Sequence, residues 1–327
     1  MIAAPDHRPS RTAFIVAFAS IYIIWGSTYL GIRVAVETIP PFFMGAGRFL
    51  LAGLVLLLVV QWRGAARPTV KQWRDNAIIG AFLLLGGNGL VSWAEKSLHS
   101  GLTALIIGIQ PVFMVLTEWA WPGGHRPGRA TFLGLVLGFA GVAYLVSPWQ
   151  DTATTNIHLP SVALVLLACA SWAFGSIWSR HVKNPAPAFQ ASALQMIGGS
   201  ASLFLGGILH GEFATFKFSA ISGASVGAFF YLAFVGSLVG FSTFVWLMKN
   251  TTPARVSTYA YVNPVVAVFL GWLILREEIT HRTLLATALI VTGVVIINTQ
   301  KARQPKLSAK PAGPLTPQPA SSSSRDR

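Results

Sequence analysis

Ten long stretches with almost no charged residue constrain this chain more than any other feature. A helix of about 20 apolar residues crosses the hydrocarbon core of a bilayer, and an uncharged stretch of about 18 residues or more predicts such a span. One of the ten, residues 38–62, is broken only by Arg48. The other nine are 12–32, 76–94, 97–117, 130–150, 152–179, 184–211, 218–248, 256–275 and 283–300. A soluble fold is excluded.

The composition and the length of the stretches narrow the class further. Only 10% of the residues are charged, whereas soluble proteins carry about 25%. Strands of a membrane barrel alternate in polarity over about 10 residues, and these stretches are continuous and longer. The sequence therefore predicts an all-α, polytopic membrane protein with ten transmembrane helices.

The positions of Lys and Arg predict the orientation, because short cytoplasmic loops are enriched in them. With ten helices and the N-terminus inside, 18 of the 24 Lys and Arg lie on the cytoplasmic side and five lie outside, while Arg48 is within the second helix. Both termini are expected in the cytoplasm. The segment 301–327 is rich in Pro, Ser and Lys, a composition that predicts a disordered tail.

The two halves of the chain resemble each other. At an offset of 153, Trp93, Lys96, Pro111, Val112 and Val115 recur as Trp246, Lys249, Pro264, Val265 and Val268, Gln110 aligns with Asn263, and at an offset of 147 Trp25 and Arg33 recur as Trp172 and Arg180. Each half then holds five helices, and because five is odd the second half enters the membrane from the opposite side. Inverted repeats of this kind are typical of secondary transporters, whose substrate site lies near the membrane midplane between the halves.

Several motifs resemble the EamA family of the drug/metabolite transporter superfamily, and within it the YedA-like inner-membrane transporters of bacteria. The motifs are Ile24–Tyr29, Arg48–Leu50, Gly87–Gly89, Ser171–Ser176 and Tyr259–Val268. The resemblance covers about residues 12–300. It implies two five-helix EamA repeats, at 12–148 and 159–300, between a cytoplasmic N-terminus (1–11) and the tail. It also implies a multi-pass protein of the bacterial inner membrane that exports small metabolites or drugs.

One motif departs from the family pattern. EamA repeats usually end their fourth helix with an acidic residue, and the second half of this chain carries Glu277 and Glu278 there. The first half reads Trp121–His125, without an acid.

Polar residues at membrane depth are candidates for the substrate site, because a charge there is costly unless it is paired or faces water. Arg48 either attracts a substrate carboxylate, or reaches the outer interface, or pairs with Glu37 or Glu95. Asn88, Ser92 and Glu95 share one face of helix 3. We expect Glu95 at the outer interface rather than as a proton carrier.

The two proline positions indicate where the helix backbone opens. Pro111 and Pro264 each remove a backbone hydrogen bond, and freed carbonyls are tolerated only beside protein or a water-filled cavity. The amides of Gln110 and Asn263 stand beside these breaks, and aromatic and hydroxyl side chains of helices 1, 6 and 9 lie at similar depth. The predicted substrate-binding residues are Trp25, Thr28, Tyr29, Arg48, Asn88, Gln110, Trp172, Ser176, Tyr259 and Asn263.

Other classes of function find little support. Neither a His-Glu-x-x-His nor a Gly-x-Ser-x-Gly pattern occurs, so no enzyme is predicted, and neither is a metal or a cofactor. The basic residues form no continuous face for nucleic acid, and the single Cys169 is expected to be a packing residue.

The sequence predicts a secondary transporter that exports small amino-acid-like, aromatic or amphipathic compounds by alternating access. Efflux of lipophilic cations is the alternative, and a channel or receptor stays open as a further one. A coupling proton also stays open.

Overall fold

Ten long helices account for nearly all of the described structure. The computed structural model describes residues 9–124, 126–146, 158–183, 185–256 and 258–303, and these ranges contain no strand. The helices are α1 (Arg11–Ala35), α2 (Pro41–Trp62), α3 (Val70–Ala94), α4 (Ser100–Ala120), α5 (Arg129–Val146), α6 (Leu159–His181), α7 (Ala188–Leu209), α8 (Gly223–Asn250), α9 (Tyr259–Leu275) and α10 (His281–Arg303). Short helices at Glu212–Thr215 and Pro253–Val256 lie in the connections.

Seven of these helices are long and apolar enough to cross a membrane, judged by length and composition over the described residues: α1 to α4 and α6 to α8. The apolar parts of α5 and α9 are shorter. The structure thus contains multiple apolar helices, as predicted, whereas the number of ten spans stays a prediction.

The third helix begins earlier than the uncharged stretch suggested. It starts at Val70 rather than near residue 77. The Thr69 hydroxyl accepts from the backbone N–H of Gln72, and the Gln72 side chain accepts from the backbone N–H of Thr69. This capping box satisfies two N–H groups that a helix start leaves open. The basic residues that follow therefore lie on a helical turn rather than in a loop.

Packing between the helices follows the two halves. α2 packs against α7, and α5 packs against α10, so each of these pairs joins one helix of the first half to its counterpart in the second. Other contacts join the halves through helices that are not counterparts: α3 packs against α6 and α7, α1 contacts α9, and α6 contacts α4. The arrangement fits the internal repeat, and it places the centre of the molecule between α1, α3, α6 and α8.

Two symmetry-related helices carry π-helical stretches that the sequence analysis did not predict. They are Ala81–Gly89 in α3 and Leu232–Phe241 in α8. Such wider turns occur frequently at functional sites. The sequence signal for these stretches is their glycines, which are Gly86, Gly87, Gly89, Gly236 and Gly240.

The two predicted proline breaks differ. In α4 the regular helix is interrupted at Gly108 and Ile109, just before Pro111. In α9 the helix continues through Pro264. Residues 1–8 of the predicted N-terminal segment and 304–327 of the predicted tail lie outside the described residues, while α10 continues to Arg303.

Candidate functional site

A cavity lies at the centre of the molecule, between the two halves. Its volume in this conformation is about 80 Å³. Eight of the ten residues that the sequence analysis selected line it: Trp25, Thr28, Tyr29, Arg48, Asn88, Gln110, Trp172 and Tyr259. They come from six helices of both halves, which is where an inverted repeat places a substrate site.

Arg48 is the one basic side chain among the described residues that line the cavity. It is 2% exposed, and its Nη2 donates to Asn88 Oδ1 over 2.9 Å. Its Nε has no hydrogen-bond partner, and no carboxylate of the described residues lies within 4.0 Å of the guanidinium. The guanidinium stands 4.2 Å from the ring centre of Phe49. Of the three roles left open for Arg48, reaching the outer interface and pairing with Glu37 or Glu95 do not occur in this conformation.

Aromatic rings form the wall on the side of α1, α6 and α9. Trp25 meets Trp172 edge-on with ring centres 5.6 Å apart, and meets Tyr259 edge-on at 5.0 Å. Phe244 packs against all three, and Phe241 lines the cavity beside them. Edge-to-face geometry of this kind is favourable for aromatic pairs. The wall can receive an apolar or aromatic group, or an amine through cation–π contact.

Two glycines on the π-helical stretches make room for the tryptophans. A Cβ at Gly87 would lie 2.8 Å from Trp172 Cε3, and a Cβ at Gly240 would lie 2.8 Å from Trp25 Nε1. Gly87 and Gly240 are related by the offset of 153. Each half therefore supplies one tryptophan, and the other half supplies the glycine on which it rests.

Gln110 faces the cavity but is already bonded. It is buried, and its Nε2 donates to the carbonyl of Cys169 over 3.2 Å. This bond joins α4 to α6. Thr28, also on the cavity wall, donates to the carbonyl of Trp25 within its own helix.

Two predicted site residues lie outside the cavity lining. Ser176 is 1% exposed, and its hydroxyl has no partner among the described residues. Asn263 is 2% exposed, and in the amide orientation that suits its neighbours its nitrogen donates to the carbonyls of Tyr259 and Tyr22, both at 3.1 Å. Asn263 thus joins α9 to α1.

Other lining residues were missed by the sequence analysis. Most are small or apolar, and nothing in their own chemistry marked them: Ile32, Phe49, Gly87, Val91, Ile107, Ala168, Cys169, Gly236 and Phe241. Cys169, expected to be only a packing residue, is buried with part of its surface on the cavity.

The outer end of α3 corrects one prediction. Glu95, expected at the membrane–water interface, is 0% exposed. The end of α3 is covered: α1 reaches it through Arg33, which donates to the Glu95 backbone carbonyl. Neither carboxylate oxygen of Glu95 has a hydrogen-bond partner in the described structure.

The outer end of α9 is tied to the start of α4 by Glu277. Its Oε1 accepts from the Ser100 backbone N–H over 3.0 Å and from the Ser100 hydroxyl over 2.8 Å, and its Oε2 accepts from the Gly101 N–H over 3.0 Å. A carboxylate is favoured at a helix start, where N–H groups are unpaired. Glu277 belongs to the second half and α4 to the first, so this contact joins the halves on the predicted outer side.

Comparison with known proteins gives consistent matches over most of the chain. A family model described as "EamA-like transporter family" matches residues 12–147 and again 159–299. The chain is 34% identical to "Uncharacterized inner membrane transporter YedA" of Escherichia coli K12, covering 87% of this chain and 90% of the relative. It is 25% identical to a "Probable amino-acid metabolite efflux pump" of the same organism, covering 84% and 91%.

One solved structure has the same fold. It superposes with a TM-score of 0.65 at 21% identity, and the match covers 90% of this chain and 99% of that one. At this identity the likeness concerns the fold alone.

Proposed function

Because this chain belongs to the EamA-like transporter family, we propose that it exports small, amino-acid-like compounds with an aromatic or amphipathic part. Transport would proceed by alternating access, with the central cavity opening to one side of the membrane at a time. One observation carries the substrate class: a buried guanidinium in the cavity has an unused donor and no carboxylate partner within 4.0 Å in the described structure. A substrate carboxylate would complete its hydrogen bonds and its charge.

The remaining lining suits the rest of such a molecule. The rings of Trp25, Trp172 and Tyr259 offer edges and faces for an aromatic or aliphatic side chain. An amino group could lie over one of these rings, where the ring quadrupole attracts a cation. The relative described as a probable amino-acid metabolite efflux pump supports the same class.

The alternative, efflux of lipophilic cations, draws on the same aromatic wall. A cation site would gain from a carboxylate in the cavity lining, and the described lining contains Arg48 instead. A buried positive charge repels a second cation. This is why we favour the carboxylate-bearing substrate.

A set of three related probes separates these possibilities. Purified protein in proteoliposomes would be tested for counterflow with L-phenylalanine, 3-phenylpropionate, which lacks the amine, and 2-phenylethylamine, which lacks the carboxylate. We expect saturable exchange of L-phenylalanine, competition by 3-phenylpropionate and little by 2-phenylethylamine. Preference for 2-phenylethylamine would support the cation alternative, and uptake without saturation or exchange would indicate a channel.

The orientation and the ten spans are part of the proposal. Lys217 is exposed at the predicted outer side, and Arg67 is exposed at the predicted cytoplasmic side. In intact cells, a membrane-impermeant maleimide should label Lys217→Cys at once and Arg67→Cys only after permeabilisation. Equal labelling of both variants in intact cells would contradict the topology. The native Cys169 is buried and serves as the background control.

A further inference from the structure

A line of polar residues leads from the cavity to the outer end of α3. Asn88 lines the cavity and is bonded to Arg48. Ser92 and Glu95 follow one and two turns later on the same face of the helix. Ser92 is 1% exposed and Glu95 is 0% exposed, and neither the hydroxyl oxygen nor the two carboxylate oxygens have a partner in the described structure.

The second half of the molecule shows that the fold does not need these polar groups. At the offset of 153, α8 carries Phe241, Val245 and Met248 where α3 carries Asn88, Ser92 and Glu95. These three apolar residues are buried as well. Apolar side chains can therefore fill the same positions of the repeat, and the line of polar residues belongs to the first half alone.

A buried carboxylate without a hydrogen-bond donor is unstable as an anion. Burial without a hydrogen-bond donor costs several kcal/mol for a polar group and more for a charge, and the usual response is protonation. We propose that Glu95 is a proton-binding site, and that its occupancy is linked to the central cavity through Arg48. The link to the cavity depends on the proposed function, whereas the proton site itself does not.

Several charged and titratable groups surround Glu95. Arg33 of α1, Arg48 of α2 and Glu277 beyond α9 act on it electrostatically, and Glu95 in turn acts on Tyr29 of α1. His210 packs against Trp93 of the same turn, at 4.4 Å between ring centres. His99 lies 3.9 Å from Glu277. Helix α6 also contacts this turn. His158 precedes α6 at its outer end, Cys169 lies at the cavity, and Arg180 and His181 lie in its last turn, at the opposite end.

The sign of the linkage follows from Coulomb's law. The positive charge of Arg48 favours the ionised form of Glu95. A substrate carboxylate bound to Arg48 offsets that charge, and so favours the protonated form. Binding of substrate should therefore take up a proton, and by reciprocity a proton on Glu95 should strengthen substrate binding.

The proton site can be tested without a substrate. Infrared difference spectra between acidic and alkaline buffer would be recorded for the full-length protein in lipid. We expect the carbonyl band of a buried protonated carboxyl group, which Glu95→Gln removes and Glu278→Gln, at an exposed outer position, keeps. Glu95→Met introduces the residue that the second half uses, so it should fold and should also lack the band. Absence of the band in the unmodified protein, or its persistence in both Glu95 variants, would overturn the proposal.

The linkage is tested with L-phenylalanine and a pH-sensitive dye in weak buffer. We expect proton uptake on binding, which Glu95→Gln abolishes while binding is retained. A variant with His99, His158 and His210 changed to Gln should keep the uptake. Binding without proton uptake, or uptake that persists in Glu95→Gln, would refute the linkage. Failure of L-phenylalanine to bind would count against the proposed substrate class, while the infrared result would still decide the proton site.

Discussion

Glu277 accepts hydrogen bonds from both the backbone N–H and the hydroxyl of Ser100, and so fastens the end of α9 to the start of α4. The two residues lie 177 positions apart and belong to different halves. In the first half the position equivalent to Glu277 is Gly124, and the positions equivalent to Ser100 and Gly101 are Pro253 and Ala254. The inverted copy of this contact on the cytoplasmic side therefore lacks its carboxylate. The halves are held together differently at the two ends.

We predict that Glu277→Gln loosens the outer contact. An amide keeps one acceptor oxygen but loses the charge that strengthens bonds to the helix start, a loss of about 1–3 kcal/mol. Thermal unfolding of the purified protein measures the effect. Glu278→Gln removes an exposed neighbouring charge and is the matched control. Equal effects of the two substitutions would mean that the contact with α4 contributes nothing specific.

We predict that Arg48→Ala weakens L-phenylalanine binding about 10- to 100-fold, because a charged hydrogen-bonded group contributes about 1.5–3 kcal/mol. Arg48→Lys should retain part of the affinity, since it keeps the charge but loses the planar fork that grips a carboxylate. Ligand titration of the purified variants measures both. The affinity for 2-phenylethylamine, which has no carboxylate, should not fall in Arg48→Ala, and a parallel fall for both probes would indicate a general structural role.

More of the cavity lining could be predicted from the sequence than of the residues that pack around it. Trp25, Trp172 and Tyr259 are predictable because their rings lie at the depth of the proline breaks, and because Trp25 and Trp172 are related by the repeat. The role of Gly87 and Gly240 could not be predicted in this way. Each glycine contacts a tryptophan of the opposite half, and this contact is visible only when the two halves are packed together. The burial of Glu95 was mispredicted for a related reason. Its position near a helix end indicated the interface, but the end of α3 is covered by segments distant in sequence.

We predict that Gly87→Ala disturbs the aromatic wall. The added methyl group would stand 2.8 Å from Trp172, and overpacking of this kind costs about 1–3 kcal/mol. L-phenylalanine affinity should fall, and the tryptophan fluorescence spectrum should change. Gly227→Ala is the control, because nothing lies within 4 Å of its Cβ position on α8. There Ala should stabilise the helix by up to about 1 kcal/mol and leave affinity unchanged. Unchanged affinity in Gly87→Ala would show that Trp172 has room to move.

We predict that substitutions of Tyr259 and Asn263 have different effects, because the two residues share α9 but only Tyr259 lines the cavity. Tyr259 lines the cavity and meets Trp25, while Asn263 lies outside the cavity lining and donates to two carbonyls. Asn263→Ala would leave those carbonyls without this donor, at a cost of about 1–3 kcal/mol. It should therefore lower the yield of folded protein but not the affinity of the protein that survives.

For Tyr259 the expected pattern is the reverse. Tyr259→Phe keeps the ring and should keep most of the affinity, whereas Tyr259→Leu removes the aromatic face and should weaken L-phenylalanine binding. Size-exclusion profiles and ligand titration of the three variants measure folding and binding separately. If Asn263→Ala lost affinity at normal yield, its amide would have to reach the substrate in another conformation of the transport cycle. In that case the substrate site would extend from the cavity along α9 to Asn263, the residue that the repeat relates to Gln110.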